Sequence, residues 1–183
     1  MKKLFVLFAF LCAALLGQAQ VQNQKFMGIG MNCTISTFTS KLKGKGFEQD
    51  MNASRDNLVV MKGLFAGEKV KVEVRGAAKT HLVCSATVCF YMSTRYTFES
   101  LRAQLADKYG MEYQEFLKVK DGEGVVPYTT DYLLWRTDKD PDNGACNQVV
   151  LSKCNYRSTA PLVISYIDSR NSAIDLQEIK SDF

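Results

Sequence analysis

The chain has little of what most reaction chemistries need. It contains one histidine, His81, and one tryptophan, Trp135, in 183 residues. A single imidazole with scattered cysteines argues against a transition-metal centre. No Gly-x-Ser-x-Gly elbow, no Cys-x-x-Cys pair, no phosphate loop and no dinucleotide fingerprint occurs. These absences speak against serine-hydrolase, dithiol-redox and nucleotide chemistry. Charge of one sign is missing too: 23 basic residues face 19 acidic ones, a net +4 that includes Lys2 and Lys3. So even a balance supplies no electrostatic footprint for nucleic acid or an anionic membrane surface. Beyond Leu16 no apolar run approaches the ~20 residues that cross a bilayer as a helix.

What is present begins with an address. Met1-Lys2-Lys3 precedes an uncharged run from Leu4 to Leu16, followed by Gly17-Gln18-Ala19-Gln20. A basic start, a short apolar core and small residues at −3 and −1 predict a signal peptide over 1–19, cleaved after Ala19. The exported chain would reside in the periplasm, at the cell surface or outside the cell. Cys12 follows bulky Phe10 and Leu11, which is a poor context for a lipid-modified cysteine. Five cysteines follow the leader: Cys33, Cys84, Cys89, Cys146 and Cys154. An odd count leaves at least one thiol unless chains cross-link. Cys146 and Cys154 on one strand would stand roughly 26 Å apart, beyond disulfide reach. Cys84 and Cys89 differ by an odd step and would face opposite ways. Buried thiols and a single bridge both remain open.

The patterning predicts α+β. Val70, Val72 and Val74 alternate with Lys69, Lys71, Glu73 and Arg75, which is a strand with one dry and one wet face. Leu58–Phe65 reads as its hairpin partner across a turn at Ala66-Gly67-Glu68, and His81–Met92 as a third strand. Ahead of them Thr34 caps a helix with an Ile35/Phe38/Leu42 stripe, ended by Gly44 or Gly46. A second helix, capped by Ser93 or Thr97, carries Phe98, Leu101, Leu105 and Tyr109 and closes at Gly110. Met111–Lys120 reads as further helical turns. Three strands follow, over Tyr128–Arg136, Cys146–Tyr156 and Leu162–Asp168, and then a C-terminal helix from Ser169 with Ala173, Leu176, Ile179 and Phe183 on one side. The expected architecture is two helix-plus-three-strand units, 20–92 and 93–183, in one compact domain. They share an antiparallel sheet with helices on one face, plus a C-terminal helix.

Phe26-Met27-Gly28-Ile29-Gly30-Met31, Phe38–Phe47, Gly63-Leu64-Phe65-Ala66-Gly67 and Val163–Asp168 with Asn171 carry a resemblance. Across most of the exported chain they resemble an uncharacterised group of exported proteins of Bacteroidetes. That resemblance implies export and carries over no catalytic residue. The helix-then-strands order is similar to the architecture of the β-lactamase inhibitory proteins, by analogy alone, and implies an inhibitor or immunity-type role.

The candidate chemistry is thin. Asp138-Lys139-Asp140-Pro141-Asp142-Asn143-Gly144 opens like a calcium loop, but its glycine is one place late and Val149 stands where the closing glutamate belongs. It reads as a solvated turn, and no metal or cofactor is expected. Cys33 precedes a helix start, where the dipole can activate a thiol, yet nothing brings His81 to it. Asp121 and Glu123 sit in a glycine-rich loop and read as solubility. Aromatics with a polar handle are plentiful: Tyr91, Tyr96, Tyr113, Tyr128, Tyr132, Trp135 and Tyr156, interleaved with Arg95, Arg136 and Arg157. Tyr91, Trp135 and Arg136 are the expected anchors of a protein or envelope-component partner. The function read from this is an exported, non-enzymatic binding protein acting through an open sheet face. The alternatives are an envelope hydrolase, which would gather His81, a carboxylate and a hydroxyl or thiol in one cleft, and a purely structural surface or vesicle protein.

Overall fold

The computed structural model describes residues 23–91, 95–110, 113–120, 127–139, 146–154 and 162–181. The leader 1–19, Ser93, Asp121, Glu123, Asp140–Gly144, Tyr156, Arg157 and Phe183 lie outside the described residues. So do the side chains of Arg95, Tyr96, Tyr113, Tyr128, Tyr132 and Cys154.

Val70, Val72 and Val74 lie in β5, Glu68–Gly76, and are no more than 1% exposed, whereas Lys69 and Arg75 are open to solvent. The partner strand β4, Leu58–Phe65, pairs with β5 from Leu58↔Arg75 to Phe65↔Glu68. Two residues connect them, Ala66 at φ 50° and Gly67 at φ 81°. Successive positive φ angles make the primed turn whose twist matches a β-hairpin. The same device, Met27 at φ 51° and Gly28 at φ 78°, joins β1, Lys25–Phe26, to β2, Ile29–Gly30.

The remaining strands are β3, Glu48–Gln49, β6, Val83–Phe90, β7, Tyr113–Lys120, β8, Pro127–Lys139, β9, Cys146–Cys154, and β10, Leu162–Ile167. Strands β3 to β10 form one eight-stranded antiparallel sheet in the order β3-β4-β5-β6-β10-β9-β8-β7. Outward from the central β6–β10 pair, the order runs β5, β4, β3 on one side and β9, β8, β7 on the other. The second half therefore holds four strands. Met111–Lys120 was expected to be helical from the spacing of Tyr113, Phe116 and Leu117. Residues 113–120 instead pair with β8 from Tyr113↔Leu134 to Lys120↔Pro127, so strand pairing overrides the local helical spacing.

Helix α1, Ile35–Lys43, is capped by Thr34, whose hydroxyl accepts from the Thr37 N–H at 3.4 Å. Its stripe of Ile35, Phe38 and Leu42 is buried, and Lys41 and Lys43 suit the negative end of the dipole. Helix α2, Arg95–Tyr109, buries Leu101 and Leu105 and ends at Gly110, φ 84°, whose N–H reaches the Ala106 carbonyl at 2.8 Å. Thr97 lies inside α2 and does not cap it. Both helices send their stripes into the same core as Val72, Val88, Ile164 and Leu151, so they cover one face of the sheet. Two glycines permit this closeness. A Cβ on Gly63 would stand 2.5 Å from the Phe47 ring, and one on Gly76 would stand 2.6 Å from Ile35.

Helix α3, Ser169–Lys180, crosses the end of the sheet. Its first turn bonds Asn147 of β9, and its C-terminal part receives the N–H groups of Ala78, Lys79 and Thr80 on Asp175 and Glu178. The Lys79 N–H holds the Glu178 carboxyl below its ordinary range. The N-cap, Asp168, is fully buried and accepts from the Asn23 amide at 2.9 Å, the Gln24 N–H at 2.8 Å and the Asn171 N–H at 3.0 Å. Asn171 in turn donates to the carbonyls of Met31 at 2.9 Å and Val83 at 2.8 Å. Two side chains thus join residues 23–31, the start of β6 and the start of α3.

Deleting the Asn171 amide leaves two buried carbonyls without their donor, each worth about 1–3 kcal/mol. Asn171→Ala should cost at least about 2 kcal/mol in urea titration, against less than about 0.5 kcal/mol for Gln177→Ala on the exposed side of α3. Equal small losses would show that the node is dispensable.

Candidate functional site

The period of a strand decides what the uncovered face presents. Residues alternating with the core valines form rows that run straight across the sheet. One row is Glu73–Thr87–Ser165–Val150–Leu134, and the next is Lys62–Lys71–Cys89–Val163–Ser152. At the centre of the first, the Thr87 and Ser165 hydroxyls share a hydrogen bond of 3.1 Å. Lys71 pairs with Glu73 at 2.7 Å and Lys62 with Asp50 at 2.7 Å, and these partners raise both lysines and lower Asp50. Cys89 and Leu134 are buried among their neighbours, whereas Thr87, Ser165, Val150 and Val163 are half-exposed. A third row, Arg75–Ser85–Ile167–Gln148–Arg136, ends in an exposed arginine on either side. Four strand spacings separate the two, roughly 19 Å. The described face is therefore small-residue and neutral at its middle, with an exposed arginine at either end of its third row.

Of the three expected anchors, two reach this face. Tyr91, just past β6, is 51% exposed and near enough to Lys62 and Lys71 to raise them both. Arg136 is exposed at the end of the third row. Trp135 is not an anchor: it is 1% exposed, part of the core, and its indole N–H donates to the Gly110 carbonyl at 3.0 Å. The reason is elementary, since Trp135 and Arg136 are consecutive on β8 and must face opposite sides. The ring ties β8 to the end of α2.

Three of the thiols, Cys33, Cys84 and Cys89, form no disulfide and are held away from chemistry. Cys33 bonds the Gly30 carbonyl at 3.4 Å, and burial raises its pKa against the pull of Lys41. Burial, with Asp175 and Asp168 near, pushes Cys84 up to about 12, and burial with Glu73 near pushes Cys89 up to about 11. A thiol so placed stays protonated and is a poor nucleophile.

His81 was expected on the outer face of a strand and is not on one. It precedes β6 at φ 55°, a left-handed conformation incompatible with a strand. Its N–H reaches the Ala77 carbonyl at 3.1 Å and its carbonyl accepts from Ile35 at 2.9 Å. This turn delivers the imidazole to a groove of about 530 Å³ beside α1, lined also by Ser36, Ser40, Lys43, Gln49 and Asp56. Proximity in sequence gave no sign of that gathering; the positive φ creates it. The hydrogen bonds are not those of a hydrolytic triad. Nδ1 pairs with the Asn57 amide oxygen at 2.9 Å rather than with Asp56, and no serine bond to His81 occurs among the described residues. No group of three His, Cys, Asp or Glu side chains able to hold a metal ion occurs among the described residues either.

Comparison with protein families, curated proteins and solved structures finds no match to this chain. No helix among the described residues is long and apolar enough to cross a membrane.

Two outcomes follow from this geometry. Trp135→Ala should cost about 3–5 kcal/mol as a core deletion, and Tyr91→Ala less than about 1 kcal/mol; thermal melts distinguish the two. The raised thiols and Tyr166, pushed up by burial, set an alkaline limit. Above the ordinary thiol value of 9.0 the unfolded chain releases protons that the fold retains, so stability is whole below that pH and declines toward about 12. The urea midpoint should fall over that range, and less steeply in Cys84→Ala/Cys89→Ala; a flat midpoint contradicts the burial of these groups.

Proposed function

We propose that this is an exported, non-enzymatic binding protein that offers the uncovered face of its sheet to another protein, in the manner of an inhibitor or immunity protein. The observation that carries the reading is the disposition of the layers. Both α1 and α2 bury their stripes on one face, and the other face keeps a neutral centre between Arg75 and Arg136. Exposed arginine and tyrosine around a small-residue centre are the composition of an interface whose anchors carry most of the energy. The mirrored strand order about β6 and β10 supports a unit used twice, which would place equivalent loops at both ends of that face. The raised thiols and the amide-paired His81 support a role without turnover. Export rests on the 1–19 leader pattern.

The hydrolase reading has one observation in its favour, the presence of His81, Asp56, Ser36 and Ser40 around one groove. A double charge reversal separates the two. Arg75→Glu with Arg136→Glu should weaken capture of the native partner from an envelope extract at least tenfold, about 1.4 kcal/mol, while leaving the melt cooperative. His81→Ala should not affect it. Loss of a measurable hydrolysis in His81→Ala, with the arginine variant fully active, would replace the binding reading with the enzymatic one.

A further inference from the structure

The groove beside α1 carries a second, separate reading. Its walls are α1, the loop after β3 and the turn at His81, so it does not share the outer-face rows described above. The Asn57 oxygen can only accept, so in the 2.9 Å contact Nδ1–H is the donor, and in the neutral ring Nε2 is then an acceptor. Asp56, next to Asn57, adds a carboxylate at this end, near the start of α1 where the Ile35 N–H meets the His81 carbonyl. At the far end of the helix stand Lys43 and, across the turn, Gln49. Neither Asp56 nor Lys43 is in an ion pair among the described residues. Between them Ser36 and Ser40, one turn apart on the helix, line the groove and can both donate and accept.

We propose that this groove binds a short peptide with both termini free, its ammonium on Asp56 and Nε2 of His81 and its carboxylate on Lys43. Length selects the class. Ser36 to Lys43 spans seven residues of helix, roughly 10 Å at ~1.5 Å each, and an extended peptide of three residues covers about the same distance. The polarity selects it too: acceptors gather at one end, a cation with the Gln49 amide stands at the other, and hydroxyls lie between for the peptide groups. Saccharide and nucleobase sites commonly offer a broad aromatic platform, and no Phe, Tyr or Trp lines this groove among the described residues.

The test is a titration of the full ¹⁵N-labelled protein followed by amide chemical shifts. Tri-alanine should produce saturable shifts at Ser36, Ser40, Gln49 and His81. Acetylating its N-terminus or amidating its C-terminus should each weaken binding at least fivefold. Asp56→Asn should remove the discrimination against the acetylated peptide, and Lys43→Gln that against the amidated one; both positions are exposed, so the fold should persist. Equal affinity for free and doubly capped peptide overturns the proposal. So do saturation by maltotriose in place of the peptide, shifts located elsewhere, and an absence of saturable shifts.

Discussion

One apolar row governs the molecule. Met61, Val72, Val88, Ile164, Leu151 and Leu133 stand side by side across six consecutive strands, and none is more than 4% exposed. Burying each such side chain is worth about 1.5–3 kcal/mol, and a slip of one residue in any strand would turn its whole share toward water. The row therefore holds the register of both halves at once. It also assigns the faces, because α1 and α2 can bury their stripes only where the row lies. Neither α1 nor α2 covers the other side, from Lys62 to Arg136, where Cys89 and Leu134 are buried by their neighbours and Thr87, Ser165, Val150 and Val163 stay half-exposed.

The ends of the chain depend on a different kind of interaction. Asp168 and Asn171 are buried polar groups, and such groups are tolerated only when their hydrogen bonds are complete. Here three donors converge on the Asp168 carboxylate, and the Asn171 amide reaches two backbone carbonyls. The arrangement makes the segment from Asn23 to Met31 a structural partner of α3 although they are far apart in sequence. Hydrophobic burial sets the sheet, whereas directional bonds set where its appendages sit.

Much of this was legible in the residues, for physical reasons. The alternation in β5, the Ala66-Gly67 turn, the Thr34 cap and the stripe of α1 are local signals, and each appears where the local rule puts it. The misreadings arose where a non-local partner decides. Strand β7 has helix-compatible spacing and becomes a strand by pairing with β8. Trp135 carries the composition of an interface anchor, but its parity on β8 sends it to the core. His81 looked like one more strand residue, and only its left-handed backbone shows that it turns toward α1. The Asp168–Asn171 node had no local signal: Asp168 read as the last residue of a strand, and the fold makes it the cap of α3.

The central claim is that the uncovered sheet face is the working surface, and side-chain footprinting addresses it directly. Hydroxyl-radical labelling of the purified protein should modify Leu64, Tyr91, Val150, Val163 and Ile167, which lie on that face and are exposed or half-exposed. In a native envelope extract the account predicts that labelling of these five falls together, while Leu176 and Ile179 on α3 are labelled as before. Unchanged labelling of the sheet face, or protection confined to the helices, would contradict it.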